Sequence, residues 1–203
     1  MIQAIGTYLP PWGTDAGRRP GDDEDAVTMA VAAGLQAIAS APDLRVARVV
    51  LVSRDLPLLE GGNGAALLAG LSLPATTEVR EELGGAPAAL EAVGGAAPGT
   101  LVIGADVSRA AGAAAALVGV AGADVRIAGR VNRSLPVVTR DAAGRVTDYA
   151  DPRLVRELGL HASLGQLDLA GKAAAVAGIS AKDGAPLSDG SPTALPTLGA
   201  SAA

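Results

Sequence analysis

Hydrophobic positions along this chain follow two periods, and the change from one to the other marks out its elements. In the stretch Glu78 to Val107, EVREELGGAPAALEAVGGAAPGTLVIGADV, apolar residues Val79, Leu83, Ala86, Leu90 and Val93 recur at helical spacing. Leu101, Val102 and Ile103 then form a short run of strand type closed by Gly104. The pattern predicts a buried small-residue helix, a Gly/Pro turn and a buried strand, around which the rest of the chain is organised. Gly84 and Gly85 each cost a helix about 1 kcal/mol relative to Ala. Their presence therefore predicts close approach of another element rather than helix propensity.

Upstream, Gln3 to Leu9 reads as a first strand, ended by Pro10 and Pro11, which remove two backbone donors. Trp12 to Gly21 is turn-rich and predicts a surface loop with Trp12 folded back on the body. Asp22, Asp23, Glu24 and Asp25 supply N-cap and first-turn carboxylates for a helix with Val27, Val31, Leu35 and Ile38 on its apolar stripe. Four consecutive carboxylates point in different directions, so the helix dipole explains them better than a hard cation does. Val46 to Val52 is a continuous β-branched run, expected for a strand buried on both faces of a parallel sheet. Gly62, Asn63 and Gly64 lack the third glycine of a dinucleotide loop, because Leu67 stands there, and they read as a turn opening a short helix from Ala65 to Leu71.

After the central strand, AAGAAAALVGV and ADVRIAGRV predict two strands joined by Gly122, Ala123 and Asp124, with the sheet turning antiparallel. From Asn132 the pattern loosens. RSLPVV reads as an edge strand, RDAAGR as a turn, DPRLVRELGL as a short helix capped by Asp151 with Pro152 at its first position, and Ala173 to Ala177 as a further strand. From about Ala185 a Pro/Gly/Ser/Ala tail without periodicity is expected to be disordered.

Composition narrows this picture to a core built from aliphatic residues. The chain has 203 residues, 49% hydrophobic, with no Phe, one Trp and two Tyr. That length suits one domain, or one domain with a tail. The longest small or apolar run, Ala110 to Ala123, is shorter than the roughly 20 residues of a membrane helix and is mostly Ala and Gly. The N-terminus MIQAIGTYLP lacks a basic n-region and an apolar h-region, and there is no cysteine, so a cytoplasmic location without disulfides is expected. With 16 basic and 21 acidic residues, a net charge of −5 disfavours nucleic acid.

Candidate chemistry is sparse. His161 is the sole histidine, placed near a predicted helix end, and no GxSxG, P-loop, HExxH or CxxC occurs. Ser180 and Lys182 are spaced for a Ser-Lys dyad, but they adjoin the tail. Arg18 and Arg19 are solvated residues of the loop and candidate anion contacts.

Four segments carry a family resemblance. DEDAVTMAVAAGLQAI (Asp23 to Ile38), RVVLVSRDLP (Arg48 to Pro57), LVIGADV (Leu101 to Val107) and AAGAAAALVG (Ala110 to Gly119) resemble the thiolase superfamily, especially its 3-hydroxy-3-methylglutaryl-CoA synthase and ketoacyl synthase III-like branch. Order and spacing agree over about Ile2 to Val131, the N-terminal half of that family's duplicated fold. The resemblance implies an α/β thiolase-like half-fold, with a mixed, mostly parallel sheet and helices on both faces. It divides the chain into a half-fold over 1–131, a reduced remnant or irregular extension over 132–184 and a tail over 185–203.

The same resemblance puts the family's nucleophilic cysteine at Leu83, give or take one residue, and the synthase acid/base glutamate at Asp55. The family's second-half histidine and asparagine find no counterparts, since the chain is expected to stop short of a complete second half. What the resemblance implies is thus a protein of acyl-CoA chemistry that has lost its nucleophile and serves as a partner subunit. Its partner would be a thiolase-like homologue, a second copy joined through the strand Ala113 to Gly119, or a zinc-ribbon/OB-fold protein. That strand carries no gatekeeping Lys or Pro. Two rival expectations are an acyl-CoA acyltransferase or lyase using Asp55 as base, and an acyl-CoA or acyl-carrier binding module with Arg18 and Arg19 on phosphate. No bound cofactor is expected, with acyl-CoA as the implied ligand, and no metal.

Overall fold

Strand β1 (Ile2–Tyr8) opens the chain, and the two prolines that follow it release the chain into a hairpin. In the computed structural model the described residues are 1–14, 17–58, 61–107, 111–125, 127, 138–140, 143, 146–148, 185–187 and 197–199. They divide into two compact units, Met1–Arg126 and Ile127–Ala203.

The hairpin pairs β2 (Trp12–Thr14) with β3 (Gly17–Arg19), setting Trp12 opposite Arg19. Trp12 is 65% exposed and does not fold back on the body. Hairpin pairing holds the indole outward, and the loop expected here is a short two-stranded ribbon.

Helix α1 (Ala26–Ser40) starts directly after the carboxylate run, of which only Asp25 caps it; Asp22, Asp23 and Glu24 precede the helix, and its first turn carries no acid. Asp25 is the N-cap: its Oδ1 accepts from Thr28 N at 2.7 Å, and Thr28 Oγ1 accepts from Asp25 N at 2.7 Å. This reciprocal box satisfies donors the first turn would leave orphaned. The buried face of α1 is made of Ala26, Val27, Met29, Ala30, Ala33, Gly34 and Ala37, while Leu35 is exposed. The Val27/Val31/Leu35/Ile38 stripe is therefore displaced toward the smaller residues. Their size lets the helix backbone come down on the sheet: a Cβ added at Gly6 of β1 would lie 2.0 Å from Ala33 O and 2.5 Å from Ala37 N.

Strand β4 (Arg48–Ser53), helix α2 (Gly64–Gly70), strand β5 (Glu78–Leu83), helix α3 (Ala86–Gly95), strand β6 (Thr100–Asp106) and strand β7 (Gly112–Val118) complete the first unit. The sheet order is β1-β7-β6-β4-β5. β4 runs parallel to both β5 and β6, and β7 runs antiparallel to β6 and β1. Four of the five strands therefore point the same way, giving the expected mixed, mostly parallel sheet. Helices α1 and α2 cover one face through Val49, Leu51, Leu101, Ile103 and Leu117. On the other face α3 lies over Val50, Val52 and Val102 through Ala88, Ala89, Ala92 and Val93.

Two expectations change here. The organising helix does not reach back to Val79: Glu78–Leu83 is an edge strand paired residue for residue with β4, and the helix starts only at Ala86. Val79 and Leu83 satisfy i, i+4 on a helix and also share one face of a strand, and pairing with β4 settles the ambiguity. The glycines between them do mark close packing, since a Cβ at Gly84 would meet Ala88 Cβ at 2.6 Å. Second, the strand Ala113–Gly119 is no exposed edge. β7 is hydrogen-bonded to β6 on one side and β1 on the other, so the sheet edges are β1 and β5. After β7, Ala123 bridges to Ile2, and most of the predicted return strand lies outside the described residues.

In the second unit, β8 (Val138–Arg140) pairs antiparallel with β9 (Val146–Asp148) across the predicted RDAAGR turn, and β10 (Ala185–Leu187) pairs antiparallel with β11 (Thr197–Gly199). The predicted helix after Asp151, the strand Ala173–Ala177, and the remainder of the tail lie outside the described residues.

Candidate functional site

The parallel strands β5, β4 and β6 end together, at Leu83, Ser53 and Asp106, the end of a parallel sheet where α/β proteins place their ligands. Just beyond those ends two carboxylates link neighbouring loops. Asp106 accepts from Arg54 N at 3.2 Å, from Arg54 Nε at 3.3 Å and from Arg54 Nη2 at 2.8 Å. In the reverse direction Asp55 Oδ2 accepts from Val107 N at 2.9 Å, and Asp55 N donates to the buried Ser53 Oγ at 3.0 Å. Each carboxylate thus fixes the start of the other strand's loop. Asp55, the expected acid/base, follows the end of β4, and its carboxylate holds the Val107 backbone amide.

Leu83 closes β5 with 79% of its surface exposed, and Gly84 and Gly85 carry the chain into α3. Gly84 N donates to Ser53 O at 3.2 Å, which ties this turn to β4. Position 83 is paired with Ser53 at the end of the sheet and bears a hydrocarbon.

A second network was not visible in the sequence. Glu81 of β5 accepts from Asn63 N at 2.6 Å, Gly64 N at 2.9 Å and Asn63 Nδ2 at 2.9 Å. The fully buried Asn63 in turn accepts from Leu58 N at 3.0 Å and donates to Leu58 O at 3.2 Å. Gly62, at φ +72°, supplies the left-handed bend that brings the loop around the carboxylate. Asn63 has no side-chain bond to its own helix, so a strand residue 18 positions away serves as the cap of α2. No local motif records such a cap.

The third cluster ties the hairpin to the body. Tyr8 OH donates to Glu24 Oε1, Gly21 N donates to Glu24 Oε2 at 2.6 Å, and Arg18 Nη1 donates to Pro10 O at 2.9 Å. Arg18 is thus held against its own chain, while Arg19 is exposed opposite Trp12. The Gly21 amide, with help from Tyr8, holds the Glu24 carboxyl below its ordinary pKa. The same bond to Glu24 raises the Tyr8 phenol above its ordinary value. Because the folded Glu24 pKa is depressed, its contribution is present above the unfolded carboxylate pKa of about 4.3 and is lost as pH falls through the folded value. Because the folded Tyr8 pKa is raised, the phenol's contribution is full below about pH 10 and is lost above it. Glu24→Gln is therefore expected to flatten the acid limb of a urea-stability-versus-pH curve. An unchanged acid limb would show that Glu24 does not report the folded state.

His161, Ser180 and Lys182 lie outside the described residues. Among the described residues no group of His, Asp or Glu could hold a metal ion, and no helix is long and apolar enough to cross a membrane.

No protein-family model matches the sequence, and no curated protein matches it. Solved structures do match the fold. 3-Oxoacyl-[acyl-carrier-protein] synthase III from Aquifex aeolicus VF5 aligns with a TM-score of 0.62 and 18% identity, over 90% of this chain and 73% of that one. The priming β-ketosynthase of the R1128 polyketide biosynthetic pathway aligns with a TM-score of 0.61 and 19% identity, over 90% and 71% of the two chains. Cerulenin-bound OleA of Xanthomonas campestris gives 0.51 and 12%, over 57% and 56%. At these identities the likeness speaks for architecture, and with the sheet order and helix layers above it establishes that this chain has the thiolase-like fold shared by the ketoacyl synthase III structures.

Proposed function

We propose that this chain is a degenerate thiolase-like protein, related to the hydroxymethylglutaryl-CoA synthase-like branch, that acts as a non-catalytic partner subunit in an acyl-CoA-processing complex of lipid metabolism. The observation that carries this reading is Leu83 at the end of β5, in a chain without any cysteine. Covalent acyl transfer needs a nucleophile that can take up the acyl group as its first carrier departs and then be displaced from it, and a base to activate that nucleophile. An isobutyl side chain supplies neither electron pair nor proton. Asp55 would be the surviving acid/base position, and its carboxylate is engaged with the Val107 amide. The partner in this reading is a thiolase-like homologue, a second copy, or a zinc-ribbon/OB-fold protein, and acyl-CoA is the ligand of the assembled complex.

The test has two arms. Purification from the native host should yield a stoichiometric homologue or OB-fold protein, and the isolated chain should show no thiolytic or condensing turnover of acetyl-CoA or acetoacetyl-CoA above the buffer rate. Turnover abolished by Asp55→Asn would instead favour a lyase or acyltransferase without a cysteine. Leu83→Cys is expected not to acquire an acyl adduct by intact mass, because a thiol of pKa about 8.5 without the family's histidine counterpart stays mostly protonated at about pH 7. An adduct on that variant would mean that more of the machinery survives than this reading allows.

A further inference from the structure

Asn63–Gly64 is the sole Asn-Gly pair in the chain, and it lies inside the network built on Glu81. Such a pair carries its own chemistry. A glycine after the asparagine puts no Cβ in the way of its backbone nitrogen, which can close on the asparagine Cγ. In that step a bond forms from Gly64 N to Asn63 Cγ, and Nδ2 leaves as ammonia, carrying the proton that Gly64 N gives up. The succinimide so formed takes up one water at either of its carbonyls, which leaves aspartate or isoaspartate at position 63. No electrons change hands, and water is the only co-reactant.

Both reacting nitrogens are held by one carboxylate. Glu81 Oε1 accepts from Gly64 N, the atom that would attack, at 2.9 Å, and Glu81 Oε2 accepts from Asn63 Nδ2, the atom that would leave, at 2.9 Å. Leu58 fixes the same side chain from behind, its O accepting from Nδ2 at 3.2 Å and its N donating to Oδ1 at 3.0 Å. The Asn63 ψ of −8° turns Gly64 N to the side of Asn63 N, so that both amides donate to Oε1. Ring closure requires Gly64 N to swing instead toward the side of Cβ, which breaks its bond to Glu81. Asn63 is also fully buried, which keeps out the water that would open the ring. Against this, α2 has seven residues and buries only Leu67 and Leu68, so it depends on the network more than on its own cooperativity.

We propose that Asn63–Gly64 is a self-modification site held unreacted by Glu81, and that its reaction releases α2 from β5 irreversibly. Aspartate at position 63 sets a second carboxylate oxygen against Glu81 Oε2 and Leu58 O, where an N–H donor stood, and turns two attractions into repulsions. Isoaspartate adds a methylene to the backbone before Gly64 and carries its amide away from Oε1. The proposal is independent of the subunit reading above.

Incubation of the purified full chain in mildly alkaline buffer, followed by peptide mass mapping, tests it. The peptide holding Asn63 should keep its amide mass in the native wild type over the time in which the same chain, unfolded in guanidinium chloride, converts most of it to the acid. Glu81→Ala should convert on the order of tenfold faster than native wild type, with Glu81→Gln between them because it keeps one acceptor oxygen. Circular dichroism shows whether each variant is folded, and the comparison of native with unfolded wild type stands even where Glu81→Ala does not fold. Equal rates for native and unfolded wild type would overturn the protection. A folded Glu81→Ala that reacts no faster than wild type would overturn the role of Glu81, and a slower one would make that carboxylate the base of the reaction instead of its restraint. Asn63→Asp, the direct product, should raise hydrogen exchange at Gly64 and along α2 while leaving β4 and β6 unchanged. Exchange identical to wild type in that variant would overturn the release of α2.

Discussion

Gly6→Ala is expected to destabilise the protein by about 3 kcal/mol, the upper end of the usual cost of overpacking. The single added methyl would stand 2.0 Å from Ala33 O and 2.5 Å from Ala37 N. Both are backbone atoms of α1, so no rotamer change can make room, and the whole helix has to lift from β1. Lifting α1 also opens the contacts of Ala30, Ala33 and Ala37 with the sheet, which are the centre of the larger core. For a domain of this size each kcal/mol is about 2–4 °C, so a fall of roughly 10 °C in Tm is expected. Gly95→Ala is the control, because nothing lies within 4 Å of a Cβ there. It should be neutral or slightly stabilising, since it trades glycine for a better helix former. Equal Tm values for the two variants would mean that α1 does not sit on β1 as described.

Glu81→Ala is expected to cost a similar amount, about 3 kcal/mol, by a different route. Removing the carboxylate takes the acceptor from Asn63 N, Gly64 N and Asn63 Nδ2 at once. An unsatisfied buried donor costs about 1–3 kcal/mol, and Asn63 is fully buried. Glu81→Gln keeps one acceptor oxygen at the same reach, so it should recover part of the loss. Urea unfolding of the three proteins gives the order wild type, Gln, Ala. A Glu81→Ala protein as stable as wild type would show that water replaces the carboxylate at no cost. Local hydrogen exchange should rise first at Leu58, Asn63 and Gly64, whose amides are bound in this network.

These two sites differ in how much of them the sequence displays. The capped start of α1 is written locally, in a carboxylate followed three residues later by Thr28, and it forms at the expected place. A glycine at position 6 inside a strand pattern is a local sign of close approach, but which backbone approaches is not local. The cap on α2 has no local sign at all, because Glu81 reads as one more charge on a polar stretch until β5 is laid beside the loop. Arg54 and Asp106 are 52 residues apart and likewise acquire meaning only once β4 and β6 are neighbours.

The sequence by itself determined the elements whose signals are short-ranged: β1 before its prolines, α1 behind its cap, the β-branched strand β4, the short helix α2 after the Gly-Asn-Gly turn, and β6. It also determined the character of the core, since a chain without Phe and with 27 glycines has to gain contact by bringing backbones together. And it determined that no thiol stands at position 83. Tertiary structure decided what six ambiguous residues became, because Val79, Glu81 and Leu83 lie on one face of a strand as readily as Val79 and Leu83 lie on one face of a helix, and only pairing with β4 separates the two. It decided that β7 is internal and β5 is an edge, because β1, more than 100 residues earlier, returns to cover β7. It decided, too, that Asp55 holds the Val107 amide. Strand neighbours and carboxylate partners are set by contacts between residues far apart in the chain, whose free energy is gained only when the whole sheet closes, and no window along the sequence contains both members of such a pair.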